Sequence, residues 1–205
     1  MYSNIIYLDC KTYYIIGTAK MEYIISHGAP EELSNRASKE TAVYSLLKKL
    51  GIDFLRTDHP AADTMADCVE IEKTLGVKVC KNLFLCNRQK TEFYLLMLPG
   101  GKPFKTKELS SQLNIARLSF ADAEFMKKYL NILPGSVSVM GLMNDSENKV
   151  RLLIDSDLLN DEYISCHPCV STSTLKIKTA DLTGKFLPAV NHSFTAVTLE
   201  AKEPK

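Results

Sequence analysis

A chain of 205 residues, 45% apolar and 24% charged, has the make-up of a soluble single-domain globular protein, able to bury about 70% of the surface its unfolded form exposes. Twenty-five basic residues against 24 acidic ones leave a formal charge of +1. That excludes a protein that coats nucleic acid non-specifically, while permitting a local basic patch.

Residues 1–28 read as an N-terminal extension with no assigned role, with Met21 as an alternative start, and residues 29–205 as the domain. The extension is fairly apolar, but Asp9, Lys11, Lys20 and Glu22 interrupt it. Its apolar runs are too short to span a bilayer, and no basic n-region, h-region and cleavage site follow one another, so the cytosol is the expected compartment. Val43, Leu46, Leu47 and Leu50 recur at helical spacing before Gly51, which predicts a helix over 32–50. An extended piece over 52–56 leads to Asp58-His59-Pro60, where the proline disfavours helix in the residue before it. A second helix is predicted over 64–75, stopped by Gly76. Two strands, 77–86 and 92–98, joined by the polar turn 87–90, form a hairpin.

A short helix is predicted over 105–113, and Ser119 is the expected N-cap of another over 121–130, stopped by Pro134-Gly135. The rest is strand-rich, with strands expected over 136–140, 150–154, 163–165, 175–177 and 193–199 and a helix over 179–187. Helices and strands alternate without regular βαβ units, so the fold class is α+β, with a mixed, largely antiparallel sheet forming a barrel-like core with surrounding helices.

Six cysteines without a secretion signal are expected as free thiols used as small hydrophobes. Cys166-His167-Pro168-Cys169 could be a redox pair, but the β-branched segment after it is not the helix such a motif opens. As half of a zinc site it has only Cys80 and Cys86 to complete it, at an unusual spacing. No metal is therefore expected. GxSxG, P-loop, HExxH and GxGxxG motifs are all absent.

Several short segments occur in a telling order: DHPAADT (58–64), KNLFL (81–85), FYLLMLP (93–99), PGSVSVMGLMND (134–145), LLIDSDL (152–158), CHPCVSTSTLKIKTADL (166–182) and KFLPAVNH (185–192). In that order they resemble the YbaK-like aminoacyl-tRNA editing family, which includes the editing domain of bacterial prolyl-tRNA synthetases and its free-standing relatives. The loop and length pattern is most similar to free-standing prolyl-tRNA deacylases that clear alanine. The resemblance implies a trans-editing hydrolase that deacylates mischarged tRNA(Pro), Ala-tRNA(Pro) above all. Cys-tRNA(Pro) deacylation, a non-catalytic tRNA- or synthetase-binding role and thiol redox chemistry stand as alternatives. It further implies no cofactor, the tRNA acceptor end as partner, prolyl-tRNA synthetase as a second partner, and neither membrane nor DNA.

The family's central lysine corresponds to Lys81, followed by Asn82; its glycine loop to Gly135 through Val139, continuing to Gly141; and its histidine-proline pair to His167-Pro168, with the hydroxyl-rich Ser171, Ser173 and Thr174 after it. Lys81, Gly135, Gly141 and His167 are thus the implied catalytic positions. Asn82, Met65, Val139, Met140, Ser171, Ser173 and Thr174 are the implied substrate-binding ones. Two departures bear on pocket shape: Val139 stands where the loop usually has proline, and Ser171 where asparagine is frequent. Ala61, Ala62, Met65, Val139 and Met140 are expected to line a pocket that admits a methyl group and excludes the proline ring.

These residue types suit ester hydrolysis. An aminoacyl ester is already activated, so it needs a placed water and charge stabilisation more than a strong nucleophile. Glycine lets backbone amides approach a developing oxyanion, and lysine is a compact cation for a phosphate or carbonyl. In the family, the terminal ribose hydroxyl is thought to assist the water. Each residue also has a plainer reading: Lys81 as a strand-end lysine in water, His167 as a turn cap, Pro134-Gly135 as an ordinary turn, and Lys102, Lys105 and Lys107 as a solvated face. His59 is expected to be structural or pocket-lining.

Overall fold

A computed structural model describes residues 23–61 and 65–200, with side chains from 68 onward in the second stretch. Ala62 and the side chain of Met65 lie outside the described residues.

The chain opens on β1 (Ile25–His27), α1 (Ser38–Lys49), β2 (Phe54–Asp58) and α2 (Met65–Leu75). The hairpin β3 (Cys80–Cys86) and β4 (Phe93–Pro99) follows, then α3 (Thr106–Gln112), β5 (Ser119–Phe120) and α4 (Ala123–Phe125), which runs into a π-helical turn, Met126–Leu130. A 3-10 turn, Val139–Asn144, precedes β6 (Val150–Asp155), α5 (Ser156–Asn160), β7 (Tyr163–Cys166) and β8 (Ser173–Lys178). The chain then passes through α6 (Thr179–Asp181), a second π-turn (Leu182–Phe186) and α7 (Leu187–Ala189) to β9 (Phe194–Val197).

The α+β class holds, but the strands make two open sheets rather than one closed barrel. One is antiparallel, in the order β1-β2-β8-β7; the other is mixed, in the order β5-β3-β4-β6-β9, with β6 parallel to both β4 and β9. β1, part of the segment read as an extension, pairs with β2 at the edge of the first sheet. The main core lies between the sheets and joins Leu175, Ile177 and Ile164 to Phe84, Leu95 and Met97, with Val43, Tyr44 and Leu47 of α1 against it. A second cluster covers the far face of the mixed sheet, where Leu85, Tyr94, Leu96, Leu98 and Leu153 meet Leu109 of α3. β4 is therefore buried on both faces, which explains its unbroken apolar run FYLLML.

Three local expectations change. α1 starts at Ser38 rather than at 32: residues 33–36 form a turn, in which the Arg36 amide bonds the Leu33 carbonyl, and Ala37 is extended (ψ 140°) and sets the N-cap after it. Ser119 caps nothing: it pairs with Cys86 at the start of the short edge strand β5, and Asp122 stands at the N-cap instead. The strand expected over 136–140 is a 3-10 turn, begun where the Ser138 hydroxyl accepts the Met140 amide.

Candidate active site

Four loops meet at one end of the space between the sheets: the exit of β2, the head of β3, the 134–138 loop and the β7–β8 turn. The first is fixed by charge. Arg36 donates to both oxygens of Asp58 (2.9 and 2.6 Å), Arg56 also pairs with Asp58, and the Arg56 Nε–H donates to the Gly28 carbonyl at 3.3 Å. Burial alone would raise the Asp58 carboxyl, but the hydrogen bonds and charges of the two arginines hold it well below the usual carboxylate range. The next residue, His59, is held by its own amide to the Thr172 carbonyl at 3.0 Å. The 134–138 loop is tied to the β7–β8 turn by the buried Ser138, whose hydroxyl donates to the His167 carbonyl at 2.5 Å. Ser165 ties β7 to β3, accepting the Cys80 amide and donating to the Lys78 carbonyl.

Between these loops lies an open pocket of about 180 Å³, lined among the described residues by Cys80, Asn82, Gly135, Val137 and His167. Gly135 adopts φ +86°, a left-handed conformation that glycine takes without strain, and a side chain there would meet nothing within 4 Å. The Asn82 Oδ1 is buried and has no hydrogen-bond partner among the described residues. His167 Nδ1 lies 2.8 Å from the Ser173 carbonyl, which can only accept, so the proton sits on Nδ1 and Nε2 keeps its lone pair. Burial lowers the His167 pKa, and the neighbouring His59 adds to the effect, so the ring is neutral near pH 7. His59 places Nδ1 2.7 Å from the Pro60 carbonyl and Nε2 2.8 Å from the Thr174 hydroxyl.

The predicted residues divide into two groups. Asn82, Gly135 and His167 come together in the cavity wall, and Ser173 and Thr174 stand behind His167. Lys81 does not join them. Strand alternation turns it to the opposite face of β3, where its ammonium donates to the Lys102 carbonyl at 2.9 Å. Val139 and Met140 are fully buried in the main core and line no part of the cavity. Gly141 is a packing glycine, since a Cβ there would lie 2.5 Å from Ile132 Cδ1 and 3.1 Å from the Leu130 carbonyl oxygen. Ala61 is exposed and Ser171 half-buried, neither of them in the cavity wall. Lys102 is no solvated lysine: it is buried and bonded to both oxygens of Asp155 (2.8 and 2.9 Å) and to Asp157 (2.9 Å).

Val137, Cys80 and Ser138 were not among the implied site residues, although Val137 and Ser138 fall within the 135–139 loop to which the resemblance pointed. Cys166 and Cys169 are free and buried, and burial pushes both thiols up, Cys169 to about 12, so neither has the lowered pKa of a reactive thiol. Among the described residues, no group of three or more His, Cys, Asp or Glu side chains is placed to hold a metal ion. No helix among them is long and apolar enough to cross a membrane.

Residues 59–184 match the family of the aminoacyl-tRNA editing domain. The chain is 27% identical over 158 residues to the prolyl-tRNA editing protein ProX of Acetoanaerobium sticklandii, covering 77% of this chain and 96% of that one. It is 30% identical over 149 residues to prolyl-tRNA synthetase associated domain-containing protein 1 of Danio rerio, covering 72% and 80% respectively. In fold it resembles a crystal structure described as that of a proposed trans-editing enzyme for prolyl tRNA synthetase, with a TM-score of 0.59 at 14% identity over 80% of this chain and 99% of that one.

Proposed function

The chain belongs to the aminoacyl-tRNA editing domain family, and from that membership together with the geometry of the cavity we propose that it is a trans-editing deacylase of mischarged tRNA(Pro), with Ala-tRNA(Pro) as its principal substrate. One observation carries this reading: a neutral histidine, its proton drawn to Nδ1 by the Ser173 carbonyl, in the wall of a pocket of about 180 Å³. That volume is below the roughly 300–1,000 Å³ of ordinary ligand sites, and suits a small aminoacyl group rather than a nucleotide. The names of two relatives, a prolyl-tRNA editing protein and a prolyl-tRNA synthetase associated domain protein, support the choice of tRNA and of prolyl-tRNA synthetase as a partner.

In the proposed reaction the ester carbonyl enters between Asn82 and Gly135. A water held by His167 Nε2 attacks the carbonyl carbon as the ring takes its proton. The oxyanion that forms is met by the Asn82 carboxamide and the main chain of the Gly135 loop. It collapses with cleavage of the bond to the terminal ribose, whose oxygen leaves with the proton, releasing alanine and uncharged tRNA. The cavity wall opposes a proline ring sterically, which spares the correctly charged tRNA. Lys81, on the other face of β3, serves as the cation for a backbone phosphate of the acceptor end.

The test is to incubate the protein with alanyl-, cysteinyl-, seryl- and prolyl-tRNA(Pro) and follow the loss of the aminoacyl group. Alanyl-tRNA(Pro) is expected to be cleaved fastest and prolyl-tRNA(Pro) spared, with His167→Ala slowing cleavage by about a hundred-fold. Equal hydrolysis of all four, or His167→Ala within two-fold of the unmodified protein, would refute the assignment.

A further inference from the structure

We infer that Tyr23 is a stacking platform for the terminal adenine of the aminoacylated tRNA, seating the base outside the pocket while the aminoacyl group enters it. The inference rests on the reading of the pocket as the place where an aminoacyl ester is hydrolysed. It gives a task to the segment before residue 29, for which the sequence supplied none.

The aminoacyl ester of a tRNA is joined through one ribose to a purine base. A pocket of about 180 Å³ has room for an alanyl group and not for the base as well, so the adenine must lie at the rim. Every base has a π-face, and proteins that hold unpaired nucleotides meet that face with an aromatic ring.

At this pocket β1 brings such a ring. Its ladder with β2 pairs Ile25 with Thr57, Ser26 with Arg56 and His27 with Leu55. Continued by two residues, the same ladder sets Tyr23 across from His59, and the two ring centroids lie 6.0 Å apart at 58°. The His59 ring stands in turn 6.3 Å from the ring of His167, which lines the pocket. Tyr23, His59 and His167 therefore form a row of rings leading away from the pocket wall. His59, in the middle, is 6% exposed, whereas Tyr23, at the outer end, is half-buried and keeps surface for a ligand. Phe125 and Tyr129 are half-buried aromatics too, but they lie against Phe93, which pairs with Cys86 at the opposite end of β3 from Cys80.

The test sees the base directly. The chain contains no tryptophan, so Tyr23→Trp places a single indole at this position. Its emission is followed while adding a synthetic acceptor-stem RNA that carries alanine through an amide in place of the ester. The RNA with its terminal adenine should quench the indole saturably, and the same RNA with that base removed should bind about ten-fold more weakly and quench little. In deacylation of alanyl-tRNA(Pro), Tyr23→Leu should raise KM about ten-fold with kcat little changed, and Tyr23→Phe, which keeps the ring, should restore KM. On an ester substrate lacking the terminal base, Tyr23→Leu and the unmodified protein should have the same KM, because the two changes remove one contact. A Tyr23 that merely covered His59 would give the same defect on both substrates. That result, equal quenching by the two RNAs, or an unchanged KM in Tyr23→Leu would overturn the inference. If alanyl-tRNA(Pro) is cleaved but the two RNAs quench alike, this inference alone falls. If the unmodified protein cleaves no tRNA, the functional reading fails, while the titration still decides whether the base seats on residue 23. Should Tyr23→Leu not fold, the Tyr23→Trp titration carries the test.

Discussion

The two faces of β3 handle polar groups in opposite ways. In the cavity wall on the side of Cys80 and Asn82, the polar groups are neutral: a histidine of lowered pKa, bonded to the Ser173 carbonyl, and a carboxamide. On the side of Lys81, they are ionic: Lys81 meets the Lys102 carbonyl, and buried Lys102 is bonded by Asp155 and Asp157. A cation can be buried only beside its counter-charge, whereas neutral donors and acceptors need only partners. The neutral face is thus suited to an ester carbonyl, on which charge appears only transiently. The ionic face is suited to a phosphate, which is charged throughout.

The largest expected effect tests the ionic face. Asp155→Ala leaves the Lys102 ammonium buried with only the exposed Asp157 for a partner, and removes the acceptor of the Asp157 and Leu199 amides. It should destabilise the protein by about 3–5 kcal/mol in urea unfolding; a loss under 1 kcal/mol would mean that water solvates this array. Burial alone would lower the Lys102 pKa, yet its hydrogen bonds to the two aspartates raise it above the usual lysine value. A pKa raised in the folded state stabilises at neutral pH, and that contribution is lost as pH rises beyond about 10.4. Unfolding of the unmodified protein should therefore turn steeply easier above that pH, and less steeply in Asp155→Ala.

Met140 and Val137 offer a paired test of where the neutral site ends. Met140→Ala should cost about 2–5 kcal/mol in stability and leave the alanyl-to-prolyl rate ratio unchanged, since Met140 lies in the core. Val137→Ala should leave stability nearly intact and let larger aminoacyl groups in, narrowing the ratio by about ten-fold. The reverse pattern would move the aminoacyl pocket to the 3-10 turn.

Lys81→Ala is expected to raise KM by about ten-fold with kcat and melting temperature unchanged, as for a residue that holds phosphate. A fall in kcat at constant KM would place the ammonium at the reacting carbonyl and erase the division between the faces. The mildest effect is on pH. Because burial lowers the His167 pKa, the neutral ring persists to lower pH, so kcat should fall only as pH drops below about 6.5. A midpoint above 7 would exclude His167 as the base.

Much of this protein was legible in its residues. Helical spacing in α1, the stops at Gly51 and Gly76, the β3–β4 hairpin and the α+β class follow from local periodicity and turn chemistry, which act over a few residues. The ordered segments pointed to the family, and within it to Asn82, Gly135 and His167, which do share a cavity. What only the tertiary structure decided was on which side of a strand or turn each residue acts. Lys81 and Asn82 are adjacent in sequence and opposite in space, because successive side chains of a strand point to opposite faces. Val139 and Met140 left the expected pocket for the core because Ser138 starts a 3-10 turn that packs against residues 130–132, with Gly141 at the contact. His59 and Thr174 lie 115 positions apart. Their hydrogen bond exists because β2 and β8 pair antiparallel, and no local pattern in the sequence records which distant strand will supply a partner.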